Sequence, residues 1–165
     1  MSSTSIIEID STALESNVRF ITGILKNEAR LSAVVKGNAY GHGVPQILPL
    51  LQELGVDHFS VYSSSEARIA QNYLGDNTTL MIMGFIYPQD YEWIDTKGIE
   101  FYISNLEELY YALDAARKVK TRAKIHLEFE TGMNRTGLLL AEIKQAVAII
   151  KSNPSYLKVQ GFASH

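Results

Sequence analysis

Two stretches of this chain hold residues whose types and spacing could do chemistry. The first is Ala33-Val34-Val35-Lys36-Gly37-Asn38-Ala39-Tyr40-Gly41-His42-Gly43. Three small or apolar residues read as a buried strand, a single lysine stands where it ends, and a glycine-punctuated polar turn follows. A lysine at a strand end beside a ligand crevice can lose hydration and have its pKa lowered, which makes its amine a nucleophile toward aldehydes. Taken alone, Val-Val-Lys reads as a solvated surface lysine after a strand; the whole eleven-residue stretch is more specific. The second stretch runs from His126 to Gly137. Alternation places Ile125, Leu127 and Phe129 on one strand face and His126, Glu128 and Glu130 on the other. Gly132 and Gly137 bracket a tight loop that holds Arg135, a planar, permanently charged fork suited to a carboxylate or a phenolate oxygen. By itself that arginine also reads as half of an ordinary loop salt bridge. His165, after the last strand-like segment, reads alone as a frayed surface group.

The elements that must position these residues alternate along the chain. Leu14, Val18, Ile21 and Leu25 share one helical face, and Thr12 with Glu15 forms a candidate capping box at its start. Ala33–Val35 precedes a helix over about Val44–Leu54, ended by Gly55. Pro45 suits its first turn, but Pro49 predicts a kink or a short first segment. Strand-like segments recur at Phe59–Tyr62, Thr79–Met83, Phe101–Ile103, Lys124–Phe129 and Leu157–Phe162. Helices are expected after Ser63-x-x-Glu66, after Ser104-x-x-Glu107 through Val119, and around Ala141–Lys151. Two strands thus lead into a Ser-x-x-Glu box, which supports repeated βα units. Six strands at such spacing fit parallel βα architecture. No G-x-G-x-x-G follows the first strand, which weighs against a dinucleotide-binding domain and for a (β/α) barrel.

Composition narrows the function classes. The chain has 165 residues, 46% hydrophobic and 20% charged, as expected of a globular domain with a real core. Its net charge of −3 offers no electrostatic case for nucleic acid or an acidic membrane. With no cysteine, disulfide scaffolds, thiolate zinc sites and cysteine nucleophiles are excluded. Met1–Ile7 lacks a signal-peptide pattern and no apolar run is long enough to span a bilayer, so the default location is cytoplasmic. Asp10, Asp57 and Asp76 have no metal-site spacing, and no metal is expected. Tyr87, Tyr91 and Trp93 around Pro88 read as a loop and short helix packed on the barrel; Tyr110 and Tyr111 lie within a helix. His42 reads as shaping its loop and His58 as structural.

The first stretch closely resembles the cofactor-lysine motif of alanine racemases, fold-type III pyridoxal-phosphate enzymes, through Lys36, Asn38, Ala39, Tyr40, Gly41, His42 and Gly43 without a gap. The second resembles the strand-five segment of the same family, most closely over Met133–Gly137, and the resemblance covers essentially the whole chain. It implies a (β/α)8 TIM-type barrel of which this chain supplies six strands. Residues 1–10 would be an N-terminal segment packing with a C-terminal domain, and 11–165 a partial pyridoxal-phosphate-binding barrel. The remaining strands and a C-terminal β domain would lie outside the chain. A complete barrel takes about 250 residues, so these residues alone are expected to be inactive.

The resemblance also assigns roles. Lys36 would carry pyridoxal 5′-phosphate as a Schiff base and serve as one of two catalytic bases. Tyr40 would hydrogen-bond the cofactor phosphate. Arg135 would contact the cofactor's phenolic oxygen and the substrate carboxylate, and His165 would pack against the pyridine ring. The second base would be a tyrosine from the C-terminal half of the partner subunit in a homodimer. Many members carry, at the position of Glu128, a lysine that becomes carbamylated, so Glu128 is expected to brace Arg135 as a ready-made anion. Glu130 stands one methylene longer than the family's aspartate. The implied activity interconverts L- and D-alanine for peptidoglycan. A broader-specificity or serine racemase of the family is an alternative, as is a non-catalytic pyridoxal-phosphate-binding barrel, which would lack the appended domain and the Tyr40–Gly43 continuation.

Overall fold

The computed structural model describes residues 5–26 and 28–165. Among the described residues six strands and seven α-helical segments follow one another. They are α1 (Ser11–Leu25), β1 (Ala33–Val34), the single turn α2 (Lys36–Tyr40), α3 (Val44–Glu53), β2 (His58–Val61), α4 (Ser64–Ala70) and β3 (Thr79–Ile82). After a short 3-10 turn come α5 (Tyr91–Lys97), β4 (Glu100–Ile103), α6 (Leu106–Val119), β5 (Ala123–Phe129), α7 (Leu140–Ser152) and β6 (Leu157–Ser164). The strands form one sheet in the order β1-β2-β3-β4-β5-β6. Each strand neighbours the next in sequence, with parallel pairings. A doubly wound dinucleotide fold reverses its strand order midway; a barrel does not. All six predicted strands are present, with ends shifted by a residue or two.

The chain divides into two compact units. The first runs through Val61 and includes Ser65–Leu80. Its core is apolar, built on Leu48 of α3, Phe59 and Val61 of β2, and Ala67 and Ala70 of α4, all fully buried. At its lower rim Arg30 Nε donates to Asp57 Oδ1 at 2.9 Å, and its Nη2 reaches Thr79 Oγ1 at 3.2 Å. That guanidinium holds the Asp57 carboxyl below its usual range, its hydrogen bond outweighing desolvation. His58 Nδ1 lies 2.7 Å from Ser32 Oγ, which places this histidine in the framework as expected.

The second unit, Tyr62–Ser64 with Met81–His165, is organised around β4–β5–β6. Tyr91 is buried against Phe101 and Tyr111, and burial pushes its phenol pKa well up. Asp95, one turn further along α5, is also buried; among the described residues neither carboxylate oxygen has a hydrogen-bond partner, and desolvation pushes its pKa up to about 7. Between β5 and β6 the register slips after Ile125↔Val159, so that His126 pairs with Gly161 and Gln160 becomes the extra residue. Gln160 Nε2 donates to Glu100 Oε1 at 3.0 Å, while His126 Nε2 lies 2.7 Å from Glu100 Oε2. This polar cluster on three adjacent strands was not foreseen in the strand alternation, because its members are far apart in sequence.

Several local expectations are corrected. Asp10, not Thr12, caps α1: from an extended backbone its Oδ1 accepts the Thr12 and Ala13 amides at 2.9 and 3.0 Å. A carboxylate satisfies two orphan amides at once, so it outcompetes the hydroxyl. On the face read as apolar, Val18 is buried but Ile21 is exposed, as are Phe20 and Ile24. Helix α3 runs through Pro49 without a break. The carbonyl that loses its donor belongs to Pro45, exposed in the first turn, where water can take it. At α6 the cap is Asn105, whose Oδ1 accepts the Glu108 amide at 2.9 Å, and Glu108 returns to the Ser104 amide at 2.7 Å. The box thus sits one residue beyond Ser104-x-x-Glu107. Of the 1–10 segment, residues 1–4 lie outside the described residues, and the rest has no regular structure. Among the described residues no helix is long and apolar enough to cross a membrane.

Candidate functional site

In the first unit, β1 delivers Lys36 to an unusual turn. Gly37, Asn38, Ala39 and Tyr40 have φ of 59°, 54°, 53° and 54°, a full turn of the left-handed helical conformation. Residues with a Cβ avoid this region by about 1–2 kcal/mol each, so Asn38, Ala39 and Tyr40 together store roughly 3–5 kcal/mol. Such strain persists only where its surroundings over-determine it. The sequence read a glycine-punctuated turn here but not its hand.

The surroundings account for each motif residue. Ala39 N donates to Val35 O at 2.9 Å, Gly41 N to Gly37 O at 3.0 Å, and Gly43 N to Asn38 O at 2.9 Å. Asn38 Oδ1 accepts the Val44 amide at 2.9 Å, capping the first turn of α3. His42 Nδ1 lies 2.8 Å from Ala39 O, which is the loop-shaping role expected of it. Glu66 Oε1 accepts the Gly37 amide at 2.8 Å. The result presents two side chains. Lys36 is half-buried, and among the described residues no hydrogen bond or ion pair engages its amine. Tyr40 is 63% exposed.

In the second unit, Glu130 organises the loop after β5. Its carboxylate accepts the Gly132 amide and, at 3.2 Å, the Arg135 amide. Amides of Asn134, Gly132, Arg135 and Met133 hold its pKa below the usual carboxylate range, that of Asn134 most strongly. The methylene that distinguishes Glu130 from aspartate thus lies in a carboxylate that reaches across the whole loop. The loop closes where Leu138 N meets Glu128 O at 2.8 Å and Glu130 N meets Leu138 O at 3.2 Å. Gly137 makes that return possible: at φ 123°, a Cβ there would fall 2.5 Å from Glu130 N. Gly132 and Gly137 do bracket a tight loop, as read.

Arg135 and His165 come together, with Nη2 2.6 Å from the imidazole Nδ1. The same Nη2 lies 2.5 Å from Nε2, so the guanidinium end rests against the imidazole between its two nitrogens. Among the described residues no hydrogen bond or ion pair joins Glu128 directly to Arg135. Glu128 is buried, 4% exposed, and its Oε1 takes the Thr136 hydroxyl at 3.2 Å, so it steadies the loop one residue beyond the arginine. The strand pleat turns Glu128 inward, where its charge, after burial itself, raises the pKa of Tyr102. Among the described residues no group of three His, Asp or Glu is set to hold a metal. Sequence reasoning passed over two loop-holding carboxylates. The sequence marks Glu66 only as a helix-start residue. Glu130 was noted only for its length, although its place two residues before a glycine was the available signal.

Similarity to known proteins agrees with this architecture. Residues 9–165 match the family model described as alanine racemase, N-terminal domain. An alanine racemase of Geobacter sp. (strain M21) is 32% identical over 98% of the chain and 42% of its own length. The alanine racemase of Streptomyces coelicolor A3(2) superposes with a TM-score of 0.86 at 26% identity, over 95% of this chain and 42% of that one. A Bartonella henselae alanine racemase, solved with covalently bound pyridoxal phosphate, shares the fold with a TM-score of 0.85 at 24% identity, over 95% of this chain and 45% of that one. The chain therefore spans less than half the length of the relatives it matches. Its single-direction strand order and its match over nearly every residue place it in the alanine racemase family, as an N-terminal domain.

Proposed function

We propose that this chain forms the cofactor-bearing domain of an enzyme that interconverts L- and D-alanine with pyridoxal 5′-phosphate. The observation that carries the reading is the left-handed turn that presents Lys36, half-buried and with its amine unengaged, at the end of β1. An amine without a competing carboxylate is free to attack an aldehyde once it sheds its proton. When bound, the cofactor supplies an electron sink for the pair left at Cα as the proton departs.

The chain's own residues supply the rest of their share. Lys36 holds the cofactor and then takes or returns the Cα proton on one face. Tyr40 offers an exposed hydroxyl to the phosphate from the same turn. Arg135, on a loop fixed by Glu130, offers a planar fork to the substrate carboxylate, and His165 a flat ring to the cofactor. Glu128 supports that loop through Thr136. The opposite proton transfer falls to a tyrosine of a partner subunit in a homodimer. D-alanine for peptidoglycan, made in the cytoplasm, is the product.

The test is reductive trapping. After incubation with pyridoxal 5′-phosphate and borohydride, a pyridoxyl adduct should appear on the Lys36 peptide by mass, and D-alanine should form from L-alanine once the chain is joined to the domain that brings the second base. Lys36→Ala should lose both. Adducts of equal yield in that variant, spread over other lysines, would overturn the assignment.

A further inference from the structure

Lys36 is tethered on both sides by the same neighbouring βα unit. Before it, Val35 N donates to Ser60 O of β2 at 2.8 Å; after it, Gly37 N donates to Glu66 Oε1 of α4 at 2.8 Å. The second tie bears on the peptide unit that joins the lysine to the left-handed turn. Rotation of that unit changes ψ of Lys36 and φ of Gly37 together, which would swing the turn and Tyr40 relative to the lysine. The bonds made by Asn38 and His42 do not restrain this rotation. They close within the turn or onto the start of α3 and would move with it; the Ala39 amide, bonded to Val35 O at 2.9 Å, does cross the unit, so Glu66 shares the restraint with that bond. Glu66 reaches the segment from 29 residues away, on a helix whose Ala67 and Ala70 are fully buried, so its base is rigid.

We propose that Glu66 is a positioning residue for Lys36: by holding the Gly37 amide, it sets the lysine and the phosphate-side tyrosine in one fixed relation. The proposal rests on the reading of Lys36 as the cofactor lysine. Glu66 touches neither cofactor nor substrate in this role. It works through the backbone, so what matters is an acceptor oxygen at the right reach, not its charge.

Two readouts test it in the intact chain. In the apo protein, amide exchange at Gly37 should accelerate about tenfold in Glu66→Ala, the factor that corresponds to losing one such hydrogen bond. Glu66→Asp, too short to reach, should do the same. Glu66→Gln keeps the acceptor and should stay near the parent. Exchange at Leu48 and Phe59, fully buried in the same unit as Glu66, should not change and so reports that the variants fold. In the second readout, the initial rate of borohydride-trapped pyridoxyl adduct on Lys36 should fall by about the same factor in the alanine and aspartate variants and recover in glutamine. Unchanged Gly37 exchange in Glu66→Ala, or faster exchange with an unchanged rate of adduct formation, would overturn the proposal. A parent chain that forms no adduct on Lys36 would instead overturn the cofactor reading and this role with it. The two failures are distinguishable, because in the latter Gly37 exchange would still respond to Glu66.

Discussion

The turn after Lys36 and the loop around Arg135 each present a cation beyond the C-terminal end of a parallel strand, yet their backbones solve the problem differently. Around Arg135, glycines stand at the φ values of 121° and 123°, and one carboxylate gathers the loop's amides. Around Lys36, three residues with side chains occupy the left-handed region in a row, held by bonds from Asn38, His42 and Glu66. The first arrangement limits strain by composition, with Asn134 at φ 56° the residue with a side chain that it places in the left-handed region. The second accepts strain and surrounds it. An irregular backbone can therefore be specified either by residues that tolerate it or by neighbours that enforce it, and the second kind is much harder to see in a sequence.

The sharpest way to break this contrast is Gly137→Ala. Its Cβ would meet backbone atoms of Phe129 and Glu130 at 2.6 and 2.5 Å, with no flexible side chain to yield. We expect a loss of about 2–4 kcal/mol in urea unfolding, with the Arg135 loop no longer closed. A loss near zero would mean that this loop, too, is enforced by its neighbours. Asn38→Ala probes the other region with a smaller effect. It removes the cap on Val44 and leaves a residue less tolerant of φ 54°, for a loss of about 1–2 kcal/mol. A neutral result would show that the remaining ties suffice to hold the left-handed turn.

The smallest effect is local and pH-dependent. The Glu130 carboxyl has its folded pKa lowered by loop amides. Its hold on the loop is therefore complete above the ordinary carboxylate pKa and fades as pH falls through the lowered folded value. Amide exchange over Gly132–Arg135, corrected for intrinsic rates, should rise on acidification in the parent. In Glu130→Gln it should be modestly faster and flat with pH. A parallel response in both would remove the carboxylate from the account.

Much of this was legible in the sequence. The βα alternation announced six strands because apolar runs, turn residues and helix starts each leave a local trace. Lys36 and Arg135 stood out because glycines punctuate their flanks. The shortfalls were of two kinds. Caps at Asp10 and Asn105 were displaced by one or two residues, since several neighbouring polar side chains compete for the same orphan amides and only the backbone entering the helix selects among them. Side-chain partners were not legible where the pleat decides direction: Glu128 turns inward to Thr136, and Arg135 meets His165.

What the sequence determined by itself was the order of elements, the parallel class of the sheet, and the strand ends at which Lys36, Arg135 and His165 would stand. These follow from periodicity and turn chemistry, which are properties of neighbours along the chain. Tertiary structure alone decided the left hand of the turn at Gly37–Tyr40, the slip that makes Gln160 the extra residue between β5 and β6, and the reach of Glu66 to the Gly37 amide. Each depends on groups distant in sequence meeting at hydrogen-bond distance. Local propensity even opposes the first, and only the assembled contacts around Lys36 can outweigh it.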